Sequence, residues 1–376
     1  MKTNRRNFIK IAGMSGSGMV TGGMTFLNNE MMSKVDNKKM KDSMNFNWTF
    51  NANDVKMAKQ LSLFLPEKIF DIHAHVYRVP ELNLSAPGIE SEGPSEVSID
   101  VWRNHLLKYF MEKGIHGGLF FPNPTPKIDI KQENAYLLSQ LQRETSCRGL
   151  VLVTPDIIPE ELSALLNQPG IVGMKPYHYY SREHPTLESS IRGFFPEWLW
   201  EIANEQKSVV MLHIVKDKAI ADPDNLREIR EMCTRYPHIK LILAHVARSF
   251  HSPHAKEGIK KLRDIENLWF DTSCICEPEA IMVVLREFGP RKLMWGSDFP
   301  FSQIRGKCVT LGDGFVWLDN SFCDWEKATF ANPFLFGIES LIALQSATDE
   351  LGLTAEDRND IFYYNATRLL LLENVK

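Results

Sequence analysis

The chain has 376 residues and a net charge of -4, with 44% hydrophobic and 24% charged residues, the balance of a soluble globular protein. Charges of both signs are interspersed without a basic patch, which argues against a nucleic-acid partner. No run of eighteen apolar residues predicts a membrane-spanning helix, so stable insertion of the mature protein in a membrane is not expected. The length permits two average domains or one large α/β barrel.

Residues 1–27 read as a targeting segment. Lys2, Arg5, Arg6 and Lys10 precede a modestly apolar run rich in Gly, Ser and Met. Arg5-Arg6-Asn7-Phe8-Ile9-Lys10 resembles the twin-arginine export signal, with Asn4 in place of the usual Ser or Thr before the pair. The resemblance implies the twin-arginine machinery as a partner and a periplasmic or secreted location. Residues 28–66 read as a linker and N-terminal extension, of which 28–47 is polar and rich in Met, Lys and Asn. The folded unit is expected over 67–376.

From Lys68 onward strand-like and helical runs alternate. Strands are expected over 68–77, 116–122, 148–154, 171–176, 208–215, 240–246, 268–273 and 292–297. Helices are expected over 99–113, 130–145, 159–167, 196–205, 222–236, 254–265 and 277–288, with 334–350 and 355–372 closing the chain. Val209-Val210-Met211-Leu212 and Leu241-Ile242-Leu243-Ala244 are continuous apolar runs, the pattern of strands buried on both faces of a parallel sheet. Eight such units predict a single-domain (β/α)8 TIM barrel with extra C-terminal helices. An open doubly wound sheet is the alternative, but no Gly-x-Gly-x-x-Gly follows the first strand. The excursion over 302–330, with Trp317 and Trp325, offers a lid or a homodimer surface. Of the six cysteines, Cys274 and Cys276 look like a metal pair only in isolation; buried free thiols are expected.

The first strand carries Asp71-Ile72-His73-Ala74-His75-Val76. Strict alternation would put Asp71, His73 and His75 on one face and Ile72, Ala74 and Val76 on the other. Two imidazoles one strand-step apart form a metal clamp, although a strand that merely carries two histidines would read the same way. Barrel sites lie at the C-terminal ends of strands, and several of these strands end in a polar group: Lys175, His213, His245 and Asp298. Buried unpaired, each costs several kcal/mol. Convergence of His73, His75, His213 and Asp298 on one divalent ion, zinc or alternatively manganese, offsets that cost. Taken singly, His213 and His245 also read as core histidines and Asp298 as a helix cap.

Asp71-Ile72-His73-Ala74-His75, Gly173-Met174-Lys175, His213, Ala244-His245 and Gly296-Ser297-Asp298-Phe299-Pro300 together resemble the amidohydrolase superfamily, of the amidohydrolase-2 type, over residues 67–372. The resemblance implies metal binding by His73, His75, His213 and Asp298, with His245 as a second functional group beside the ion. Lys175 stands where some members carry a carboxylated lysine, and is read here as a cation for a substrate carboxylate or as a hydrogen-bond donor. It implies hydrolysis of a lactone, ester or amide, with Asp298 as proton acceptor. Non-oxidative decarboxylation of an aromatic or unsaturated acid is the alternative, because the family includes both reactions. Arg78, Lys175, Tyr177, His178 and Arg182 are candidates for gripping an anionic or polyhydroxylated small molecule, and Asp71 for supporting the ligands.

Overall fold

The apolar runs pair side by side in the order in which they occur. The computed structural model describes residues 48–372 except 112, 326, 329 and 330. The twin-arginine-like segment and the 28–47 stretch lie outside the described residues. The parallel strands are β1 (Ile69–Arg78), β3 (Ile115–Pro122), β4 (Arg148–Val153), β5 (Ile171–Pro176), β6 (Val209–Leu212), β7 (Lys240–Leu243), β8 (Leu268–Asp271) and β9 (Leu293–Met294). They form one curled sheet in that order, with the two-residue β2 (Glu96–Val97) added antiparallel to β1 at its end. The segment after β9 returns to β1. Ile72 N donates to Trp295 O at 3.1 Å, Asp298 N to His73 O at 2.8 Å and His75 N to Phe299 O at 2.9 Å. This is the expected single-domain barrel, and it brings residues 73–75 against 298. No described helix is long and apolar enough to cross a membrane.

Two apolar layers follow from the strand pattern. Phe70, Ile72, Leu119, Phe121, Leu150, Met211, Ile242 and Met294 form a cluster with Ala366, Leu369 and Leu370 from the terminal helix. Ala74, Val76, Phe120, Val151, Met174, Val210 and Leu241 belong to the larger cluster shared with the helices, which includes Trp102. β1 does not alternate strictly, which corrects the face assignment made from the sequence. Its register against β3 shifts between Ile69 and Asp71 and again between Asp71 and Ala74. Such irregularities re-aim side chains. Ile72 packs in the first cluster and Ala74 and Val76 in the second. Asp71 meets Trp102, while the His73 and His75 rings lie 4.9 and 4.6 Å from Phe121.

Several elements are shorter than their sequence pattern. β6, β7 and β9 end before His213, Ala244 and Trp295, because their last residues leave the ladder to turn over the barrel mouth. After β7, His245, Val246, Ala247 and Arg248 all take positive φ, between 49 and 56°. The left-handed region costs a non-glycine residue roughly 1–2 kcal/mol, and a β-branched Val is rare there. The 99–113 helix stops at Leu106, and the 355–372 helix is interrupted by a π-helical turn over Asp360–Tyr364. Residues 302–330 contain a hairpin, β10 (Lys307–Leu311) and β11 (Gly314–Leu318), whose Phe315 and Trp317 rings pack 5.2 and 4.8 Å from the Phe250 ring, tilted and edge-on. In the N-terminal extension, helix α1 (Ala52–Leu61) starts with a capping box between Asn51 and Asp54. Asp54 is buried and pairs with Arg305 at 2.8 Å, fastening the helix to the loop beyond Asp298. All six cysteines are free, and five of them are buried.

Gly173 in β5 marks the tightest strand contact, since a Cβ there would stand 1.8 Å from the Val209 carbonyl oxygen. Only backbone could yield. Gly173→Ala should therefore destabilise the protein by about 3 kcal/mol or more, measured by urea unfolding; a change within about 0.5 kcal/mol would refute this account of the β5–β6 contact.

Candidate metal centre

The site is built where β1, β8 and the segment after β9 meet. Asp71 sets the frame. Fully buried, it accepts from Ser297 N at 2.8 Å, from the Ser297 hydroxyl, from Trp102 Nε1 at 2.8 Å and from His73 N at 3.1 Å. Burial pushes its carboxyl up to about 6, against the pull of these donors. One carboxylate thus ties the start of the His pair to the residue before Asp298. Gly296 completes the approach, because a Cβ on it would lie 2.8 Å from His73 Cβ.

His73 Nδ1 faces Asp271 Oδ2 at 3.0 Å, and His75 Nδ1 faces the Pro122 carbonyl at 3.4 Å. These acceptors favour a proton on Nδ1 of each ring, the tautomer that frees Nε2 for an ion once the ring is neutral. Both Nε2 atoms then converge on one oxygen: Asp298 Oδ1 is 3.3 Å from His73 and 3.2 Å from His75. His73, His75 and Asp298 form a buried group able to hold a metal ion. Asp298 itself takes φ 56°, a left-handed conformation that Asp tolerates better than most residues.

A second group comprises His73, His245 and Asp271. Ser273 Oγ joins it, lying 3.1 Å from His73 Nδ1 and 3.0 Å from His245 Nδ1 and donating to Asp271 Oδ1. His245 Nδ1 also faces Ser273 O at 2.9 Å and Asp298 Oδ2 at 3.9 Å. Asp271 further accepts His245 N at 3.0 Å, capping the entry to the left-handed turn. Asp271 was missed in the sequence, although the signal was there: Leu268-Trp269-Phe270-Asp271 is an apolar strand ending in a carboxylate.

Electrostatics agree with a cation between these groups. Burial lowers the His73 pKa, but Asp271 and Asp298 outweigh it and hold the imidazole above its ordinary value. His75 falls to about 4 because it is desolvated. Burial disfavours the Asp298 charge, yet His73 and His245 keep its carboxyl well below the usual range. His213 lies outside both groups, its ring 5.1 Å from His245 and 5.2 Å from Tyr177. Burial drives its pKa well down, and its Nδ1 has no partner among the described residues. An orphaned buried nitrogen beside a converging imidazole–imidazole–carboxylate set has the donor chemistry of a zinc-type site, so the residues fit a divalent ion.

A family model described as amidohydrolase matches residues 70–372. The chain belongs to the amidohydrolase family. The fold is shared with solved structures of low sequence identity. One is a probable 2-pyrone-4,6-dicarboxylic acid hydrolase from Acinetobacter baumannii with citric acid bound (16% identity, 80% of this chain and 98% of that one, TM-score 0.50). Another is a zinc-bound amidohydrolase from Burkholderia multivorans (13% identity, 81% and 99%, TM-score 0.53). A third is a 2,6-dihydroxybenzoate decarboxylase from Rhizobium (14% identity, 82% and 100%, TM-score 0.51). No curated protein matches the chain. Amidohydrolases normally bind a divalent metal, and the His-His-Asp group of this member is the corresponding candidate.

The other residues singled out in the sequence of this amidohydrolase divide into two sets. Lys175, Tyr177 and His178 line up with His213. Lys175 Nζ is buried over the Phe121 ring at 4.6 Å without a hydrogen-bond partner among the described residues. Burial brings it down to about 8, although Asp271 and Asp298 act to raise it. His178 Nδ1 faces Thr186 Oγ1 at 3.3 Å, and its buried Nε2 has no partner among the described residues. Arg78 and Arg182 are committed elsewhere. Arg78 pairs with Glu133 at 3.2 Å and covers Tyr136, and Arg182 pairs with Asp156 on the exposed side of its loop. Arg248 was passed over in the sequence. It is 2% exposed, donates to Lys216 O at 3.0 Å and lies 5.6 Å over Phe315. Burial lowers both His178 and His213, and the nearby Arg248 charge adds to that effect.

Asp271→Asn keeps the volume but removes the charge that orients His73. Metal affinity should drop about 10- to 100-fold, read by competition with a chromophoric chelator; unchanged affinity would remove Asp271 from the site.

Proposed function

We propose that this amidohydrolase hydrolyses a C–O or C–N bond, in a lactone, ester or amide, of a small carboxylate-bearing or polyhydroxylated molecule. The observation that carries this reading is the convergence of His73 Nε2 and His75 Nε2 on Asp298 Oδ1, with His245 beside it. His73, His75 and Asp298 would hold one divalent ion, zinc or manganese, with His213 as a fourth ligand. Bound there, the ion supplies Lewis acidity to a carbonyl and lowers the pKa of water towards ~7.

The protein's own groups carry the remaining work. Asp298 divides its oxygens: Oδ1 faces the two imidazoles, and Oδ2 is turned to His245 at 3.9 Å. Oδ2 is the atom placed to take a proton from the attacking water and return it to the leaving group. His245, with Nδ1 on the Ser273 carbonyl, offers Nε2 as an acceptor, which suits holding the water better than donating to an oxyanion. Lys175, His178 and Arg248 supply buried donors for a substrate carboxylate. Their desolvation makes each such contact stronger than in water. Export by the twin-arginine route, supported by Arg5-Arg6-Asn7-Phe8-Ile9-Lys10, would place the enzyme in the periplasm.

Purified protein should contain about one divalent ion per chain by elemental analysis, and His73→Ala should lose it. Asp298→Asn should lower kcat about 10²- to 10⁴-fold on a lactone panel; undiminished turnover would refute its role. Carbon dioxide release from a hydroxylated aromatic acid, without lactone hydrolysis, would replace hydrolysis by decarboxylation. Arg5→Lys with Arg6→Lys should leave the protein in the cytoplasm on cell fractionation, and undisturbed export would overturn the assignment of that segment.

A further inference from the structure

Residues 48–61 lie ahead of the family-matched region, yet they pack against the segment that carries Asp298. Trp48 is 7% exposed and sits between three elements. Its ring meets the Phe299 and His105 rings edge-on, each at 5.2 Å, and its Nε1 donates to Ile89 O at 2.9 Å. Each contact leads to a residue of the site. Phe299 directly follows Asp298; its carbonyl accepts from His75 N at 2.9 Å, and its amide donates to Ser297 Oγ at 3.0 Å. His105 stands one turn beyond Trp102 on the helix Ile99–Leu106, and Trp102 holds Asp71. Ile89 opens a turn that packs against Phe301–Gln303, and the Phe301 ring lies 5.8 Å from His75.

Further contacts hold the same segment. The Phe50 ring lies 5.5 Å from Tyr109, and Tyr109 donates to Ser302 O at 3.1 Å. Arg305 donates to Thr49 O at 2.7 Å and pairs with the buried Asp54 at 2.8 Å. Residues 48–54 thus grip 299–305 along its length. A terminal segment that merely covered apolar surface would have no reason to concentrate its contacts there. Asp298 sits outside any strand or helix, at φ 56°. A ligand so placed depends on its neighbours, and a site fails when its support drifts by about 1 Å. The fit at Trp48 is close, because a Cβ on Gly93 would stand 2.5 Å from the indole. Gly93 does not take a positive φ, so a side chain there is opposed by Trp48 and not by its own backbone.

We propose that Trp48 is a positioning residue for the metal centre: residues 48–54 fix the segment 299–305, and through Phe299 they fix Asp298. The inference rests on reading His73, His75 and Asp298 as the ligands of a divalent ion, and it is independent of the bond that is cleaved. Removing the indole leaves a cavity beside Phe299 and loosens the hydrogen bond from His75 N to the Phe299 carbonyl. Gly93→Ala acts on the same contact from the other side, by crowding the indole instead of deleting it. Leu61, buried at the opposite end of α1, is the comparison, because it has no part in the grip on 299–305 described above.

The test is zinc affinity of the full chain by chelator competition, together with amide exchange of the chain stripped of metal. Trp48→Ala and Gly93→Ala should each weaken zinc about tenfold. Leu61→Ala should cost stability but leave zinc affinity within about threefold. Without metal, the His75 amide should exchange about tenfold faster in Trp48→Ala than in Leu61→Ala. Gly93→Ala should add nothing in the Trp48→Ala background, where the indole is gone. If Trp48→Ala does not fold, Gly93→Ala decides. Unchanged zinc affinity in the folded variants, or an equal loss in Leu61→Ala, overturns the proposal. An unmodified chain that binds no zinc sinks the metal reading instead, and the His75 exchange then decides the role of Trp48.

Discussion

The Asp71 carboxylate is the clasp on which the site depends. Its donors come from three distant places: Trp102 on the first helix after the mouth loop, His73 on β1, and Ser297 beyond the last strand. A buried carboxylate is costly unless its acceptors are filled. Filling them here requires the barrel to be closed, because Ser297 reaches Asp71 only when the segment after β9 lies along β1. Closure and the assembly of His73, His75 and Asp298 are therefore one event. The shift of β1 register at Asp71 serves the same end, turning the carboxylate towards Trp102 while the imidazoles face the mouth.

Around that clasp the backbone is bent against its preference. His245 through Arg248, Cys274 and Asp298 all hold positive φ. Each lies just past a strand end, where the chain must stop propagating the ladder and present a side chain to the axis. The cost is local, and the return is directional: Asp271 holds His245 N, and the Asp298 amide rests on the His73 carbonyl. Strain held by surrounding hydrogen bonds is common where geometry serves chemistry.

The barrel was legible because its cause is local. Continuous apolar runs and helical periods repeat along the chain, and a strand buried on both faces needs no distant information to announce itself. The His-x-His pair and Asp298 were legible because polar residues ending apolar strands have few other reasons to be there. Asp271 obeys the same rule at the end of the apolar run Leu268-Trp269-Phe270. The remainder depended on contacts between distant segments. Arg78 looks like a substrate ligand in sequence but finds Glu133 across the loop. Arg248 reads in sequence as a loop residue after the sixth strand, until the left-handed run His245–Arg248 buries it. The β10–β11 hairpin has a short alternation that aromatic composition obscured. Asn123 meets Glu90 more than thirty positions away, through a turn with no motif of its own.

The protonation pattern links the clasp to the ion. Asp271 and Asp298 flank His73, and their combined field more than offsets the desolvation of its imidazolium. His75 and His213 meet no such compensation and are driven towards the neutral form that a ligand needs. The two carboxylates therefore favour a positive charge between them and raise the proton affinity of His73. A divalent ion needs that imidazole deprotonated, so it takes over a charge that the protein has already arranged to stabilise. The same carboxylates that secure the ion also oppose the loss of charge on Lys175. Lys175 and the His73, His75 and Asp298 group are thus electrostatically coupled through Asp271 and Asp298.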